Sequence, residues 1–150
     1  MLKRHMPTKN KTLTAYLALL FGTLGAHRFY LKGLADKWGW LQILATSIGL
    51  YGVRRTMVLG QDDRLAWLLM PFWGASLAAA CLSAIVFGLM DKAKWNAAYN
   101  PTAPSDNAAG NSSGFGIFAV ILALLLGATA LMSVIAFTGQ RYFEYLLKSV

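Results

Sequence analysis

The sequence predicts an all-α integral membrane protein of about four transmembrane helices arranged as two hairpins. Three observations carry that reading. Hydrophobic residues fill 57% of 150 positions, charged residues 13%, and mean hydropathy is +0.48. An average soluble domain holds about 45–50% apolar and about 25% charged residues. Two runs, Leu65–Met90 and Phe115–Thr138, carry no charge. Each is long enough, at about 1.5 Å per residue, to cross about 30 Å of hydrocarbon. Two shorter apolar runs, Leu13–Ala26 and Trp38–Val53, precede them.

Residues 1–12 are polar and basic, with Lys3, Arg4, Lys9 and Lys11 and no acid. Leu13–Ala26 alone covers only about 21 Å. Phe29, Tyr30 and Leu31 extend it toward the interface, with Arg28 snorkelling to phosphates. Leu24 stands where a signal-peptide cleavage site needs a small residue, so the run is expected to remain as a helix. Trp38 and Trp40 open the second run and Tyr51 closes it, as interfacial aromatics do. Gln42, Thr46 and Ser47 recur at helical spacing and predict one polar face turned toward other helices. Residues 54–64 read as a polar connection.

The third run contains Pro71 near its start, where a proline is tolerated or marks a kink. From Asn96 onward Asn, Pro, Ser, Gly and Ala dominate, which predicts a mobile loop over 96–114. Asn111-Ser112-Ser113 formally matches a glycosylation acceptor. Arg141, Glu144 and Lys148 among aromatics predict an amphipathic interfacial tail over 139–150. The chain thus divides into a basic segment 1–12, a hairpin 13–60, a second hairpin 65–138 and the tail.

Three runs carry small residues at four-residue spacing: Ala18, Gly22 and Ala26; Ser76, Ala80, Ala84 and Gly88; Ala119, Ala123 and Gly127. Such stripes lie on one helix face and let backbones approach closely.

The net charge is +8. Its lysines and arginines are scattered between apolar runs as loop charges, so no nucleic-acid partner is expected. Cys81, the single cysteine, sits in an apolar run and reads as a small packing residue. His5 and His27 are the only histidines, so no metal cluster, cofactor or catalytic set is expected. The expected function is a non-enzymatic helix-packing interaction or assembly component. Its partners would be the lipid bilayer and a second copy of the chain or other membrane proteins. The alternative is a subunit of a small transporter or channel, with a pore drawn from Gln42, Thr46 and Ser47. Against it, the third and fourth runs hold no ionisable acid or histidine.

The most informative stretch is Gly25-Ala26-His27-Arg28-Phe29-Tyr30 followed by Gly33. A histidine and an arginine end a membrane run where apolar residues would insert at lower cost. Arg28 reads as an end anchor, or His27 and Arg28 hold the turn or bind a partner or lipid headgroup. This stretch resembles the TM-two domain family over about residues 9–60. Lys9 and Lys11 match its lysine-containing lead-in, and Gly49-Leu50-Tyr51 its second-helix element. The resemblance implies a pair of short membrane helices, a non-enzymatic role and a motif loop facing the cytosol. The family's aspartate after the second element is replaced by Arg54 and Arg55, so no ion pair from Arg28 to a second-helix acid is expected.

Four spans put both termini on one side. On that basis Lys and Arg divide nine to five in favour of the terminal side. The positive-inside rule then places the termini in the cytoplasm, with a multi-pass location in a bacterial inner membrane.

Overall fold

The computed structural model describes residues 8–104 and 106–148. Lys3, Arg4 and His5 lie outside the described residues. Among the described residues there are six α-helices: α1 (Lys11–Phe21), α2 (Ala26–Lys32), α3 (Lys37–Leu59), α4 (Arg64–Leu89), α5 (Lys92–Tyr99) and α6 (Gly114–Lys148). Short 3-10 turns occupy Gly22–Leu24 and Ala108–Gly110. Side chains from Asn10, Asp63 and Asp91 cap α1, α4 and α5 by accepting from Leu13, Ala66 and Ala93 N–H groups. Each satisfies a donor that a helix N-terminus leaves unpaired.

α4 is the axis of the bundle and packs on α1, α3 and α6. Among the described residues, it and α6 are the two helices long and apolar enough to cross a membrane. Lys11 Nζ donates to the Met90 carbonyl (2.8 Å) and to Ser112 Oγ (2.7 Å). The start of α1, the end of α4 and the approach to α6 therefore meet at one end, here termed the motif end. At the far end Arg55 pairs with Asp63, and the Arg64 guanidinium lies 5.5 Å from the Tyr145 ring.

Five features differ from the sequence expectations. The first run is not one helix through Leu31. It breaks at Gly22–Gly25, and α2 turns back, so that Lys9 Nζ donates to the Leu31 carbonyl and the Tyr30 hydroxyl accepts from Asn10 N–H (3.1 Å). α3 continues past Arg54 and Arg55 to Leu59 and stops at Gly60, whose N–H reaches the Thr56 carbonyl. Charged residues do not end a helix; the backbone turn at Gly60 does. The segment 96–114 is not all loop: Asn96 to Tyr99 complete α5, and Trp95, Asn96 and Asn100 are buried. Residues 139–148 are not a separate tail but the last turns of α6. Finally, the start of α1 and the end of α6 lie at opposite ends of the bundle, because α1 and α2 together make an excursion that returns to the motif end.

The small-residue stripes sit between helices. Ala18, Gly22, Ser76, Ala80, Ala84, Gly88, Ala119 and Ala123 are buried, and Ala26 and Gly127 are half-buried. A Cβ on Gly22 would lie 2.5 Å from the Ala80 Cβ, and one on Gly127 would lie 2.7 Å from the Cys81 Cβ. Backbones at this separation gain dispersion contacts, which hold helices together where lipid removes the hydrophobic drive. Outward-facing Leu20, Phe21 and Leu24 at the hairpin tip are exposed, as are Ile121, Leu124 and Leu125 on α6. Exposed apolar surface of this extent belongs in hydrocarbon rather than water.

Candidate functional site

The candidate site is the motif hairpin and the residues that clamp it at the motif end. Its geometry starts at Gly25, which has φ +69° and ends the 3-10 turn by donating to the Gly22 carbonyl at 2.9 Å. An L side chain disfavours that left-handed conformation. A Cβ there would also lie 2.7 Å from the Gly39 carbonyl oxygen. Glycine at this position allows the chain to reverse while α3 crosses directly beside it.

α2 then presents the motif side chains. His27 is fully buried, with its ring 5.9 Å from that of Phe87, and neither ring nitrogen has a hydrogen-bond partner among the described residues. It fills space as an aromatic between the hairpin and α4. Arg28 Nη1 lies 3.5 Å from Asp36 Oδ2, and its guanidinium carbon is 5.9 Å from the Trp38 ring. Asp36 occupies the N-cap of α3, yet its carboxylate makes no cap bond; it faces Arg28 instead. Phe29 packs against Gly39 and, at 5.5 Å, against the Trp40 ring. Gly33, with φ +81°, ends α2 by donating to the Phe29 carbonyl.

Three further sets of contacts hold the hairpin and its crossing with α3; the sequence predicted the inward polar face of Gln42 and Thr46 but not the other two. Lys9 and Lys11 look like a generic basic lead-in, yet both ammonium groups bond the carbonyl at or just past a helix end, Leu31 and Met90. Trp95 Nε1 and Asn100 Nδ2 both donate to the Lys9 carbonyl, at 2.9 and 3.0 Å, and Lys9 N–H donates to Asn100 Oδ1 at 2.7 Å. Deep in the bundle, Thr46 Oγ1 donates to the Thr23 carbonyl at 2.7 Å, and Gln42 Nε2 donates to the Ser76 carbonyl at 2.8 Å. Ser47 does not share that face; it is exposed. The Leu31, Met90 and Thr23 carbonyls lie at helix ends or in the 3-10 turn, where an intrahelical donor is missing and another is needed away from water.

Residues 7–54 match the model of the TM2 domain. This chain carries a TM2 domain. The domain covers α1, α2 and most of α3, and so includes the entire hairpin and its crossing with α3. The chain is accordingly a helical membrane protein with two candidate spans, α4 and α6, outside the TM2 domain. Comparison with curated proteins and with solved structures found no match to the chain. Within the TM2 domain the motif arginine does have an acidic partner. It is Asp36, in the linker before α3, rather than an acid following the second helix.

Proposed function

We propose that the protein is a non-enzymatic assembly component of a membrane, whose TM2 hairpin is a packing module. In this reading α3, which is less apolar than α4 and α6 but turns Gln42 and Thr46 inward, crosses the bilayer beside them, while α1 and α2 enter and leave at the motif end. The expected four crossings thus become three and a re-entrant hairpin. The observation that carries the functional reading is where the motif end directs its polar groups. Arg28 engages Asp36; Lys9, Lys11 and Thr46 engage backbone carbonyls of other helices. These groups serve architecture.

The same geometry bears on orientation. Among the described residues, Lys9, Lys11, Arg28, Lys32, Lys37, Lys92 and Lys94 belong to the motif end, and Arg54, Arg55, Arg64, Arg141 and Lys148 to the far end. The positive-inside rule favours a cytoplasmic motif end. That agrees with the cytosolic motif loop implied by the family, whereas the four-span count would put the motif loop opposite the cytoplasmic termini.

The partners we infer are the bilayer and, through the outward faces of α3 and α6, further copies or other membrane proteins. Photo-crosslinkers placed on those faces in intact membranes test this. Discrete adducts of fixed mass support assembly. Selective ion or solute flux from the purified protein in vesicles, with no adduct, would support a transport subunit instead.

A further inference from the structure

Arg28 stands at the mouth of a groove between α3 and α4. Trp38, Leu41 and Ala45 form one wall, and Phe72, Ala75 and Ala79 the other; the groove encloses about 360 Å³. Alanines at three of these positions keep bulky side chains out of it. From Ser83 at the mouth to Phe72 it runs about 16 Å along α4, close to the roughly 15 Å depth of one leaflet's hydrocarbon. The Arg28 side chain is 30% exposed, whereas that of its partner Asp36 is 8% exposed. A guanidinium carries five donors in a planar fork. Among the described residues Asp36 is the one acceptor recorded for Arg28, through Nη1. Lys32 and Lys37, both exposed, flank the same linker. Three cations against one carboxylate leave the mouth positive.

We propose that this groove holds one anionic phospholipid from the surrounding leaflet. Its phosphate sits on the open face of Arg28, beside the interfacial Trp38. One acyl chain fills the alanine-lined trough below, so head and tail are recognised by separate features of one site. The site requires that the protein be inserted in a bilayer, but not that it act in assembly.

The test is native mass spectrometry of the full chain in mild detergent, titrated with phosphatidylglycerol or phosphatidylcholine. The wild-type protein retains one phosphatidylglycerol about tenfold better than phosphatidylcholine. Ala79→Phe fills the trough from an exposed position, leaves Arg28 and Asp36 untouched, and abolishes retention. Arg28→Gln removes the preference for the anionic lipid. Millimolar inorganic phosphate does not displace the bound lipid. Equal retention of both lipids by the wild type, unchanged retention by Ala79→Phe, or displacement by inorganic phosphate each overturns the proposal. Because crosslinking on the outer faces reads assembly separately, failure here leaves the functional reading standing.

Discussion

The TM2 hairpin and the α4–α6 pair solve the same problem by different means. α4 and α6 are each a continuous helix, so apart from the one carbonyl that Pro71 leaves without an N–H donor in α4 their backbone groups are paired internally, and the interface needs only shape: Gly88 against Val120, Gly127 against Cys81, Ala84 and Ala123 in the common core. The hairpin is built from helices of 11 and 7 residues joined by a reversal. Its interrupted backbone leaves carbonyls that no helix pairs, and side chains from distant parts of the sequence supply the donors. Between the continuous α4 and α6 small residues suffice. Where a helix breaks inside a membrane protein, polar side chains have to complete the backbone.

The largest expected effect breaks the hairpin side of that comparison. Gly25→Val imposes a left-handed conformation on a β-branched residue and drives a side chain into Gly39. A loss of about 3 kcal/mol or more in a detergent-unfolding assay is expected. Gly33→Ala has a positive φ as well, but nothing lies within 4 Å of an added Cβ. It should lose only about 1 kcal/mol. Equal losses would mean that the crossing with α3 contributes nothing.

Next comes the motif-end clamp. Lys11→Met keeps the buried stem, 2% exposed in the wild type, and removes donors from the Met90 carbonyl and Ser112. Leaving such groups unpaired costs about 1–3 kcal/mol. On the α4–α6 side, Ala84→Leu and Ala123→Leu overpack fully buried positions and should each cost about 1–3 kcal/mol. Leu89→Ala, at a site 66% exposed, should change stability by no more than about 0.5 kcal/mol in the same assay. If all three behave alike, close packing is not what holds this pair.

The smallest effect concerns the far end and pH. The hydrogen bond from Arg55 is the main reason the Asp63 carboxyl sits below its ordinary range. A depressed carboxylate stabilises the folded state above the unfolded value of about 4, and that contribution fades as pH falls through the lower folded value. The wild-type unfolding midpoint should therefore drop slightly more between pH 5 and about 3 than that of Asp63→Asn. Parallel curves would show that the pair does not contribute.

These contrasts also explain what the sequence revealed. α4 could be read almost to the residue, because the uncharged run Leu65–Met90, bounded by Arg64 and Asp91, is both its hydropathy and its length. The small-residue stripes were visible for the same reason: four-residue spacing is a local pattern. The break at Gly22–Gly25 was hidden, since two glycines in an apolar run look the same whether they pack helices or reverse the chain. α5 was hidden by its composition. Its place depends on Trp95 and Asn100 meeting the Lys9 carbonyl, a contact across some ninety residues that no local pattern records. The motif itself was legible as chemistry, but no local pattern ties Arg28 to Asp36, eight residues on.

The central claim is that α1 and α2 return to the motif end, so the chain crosses three times. Single cysteines at the exposed positions Thr8, Gln61 and Thr102, in a Cys81→Ala background, test it by labelling intact cells with a membrane-impermeant maleimide. The account predicts that positions 8 and 102 share one side and are protected, while position 61 is labelled. Four crossings would pair position 8 with position 61 against position 102, and that result would contradict the account.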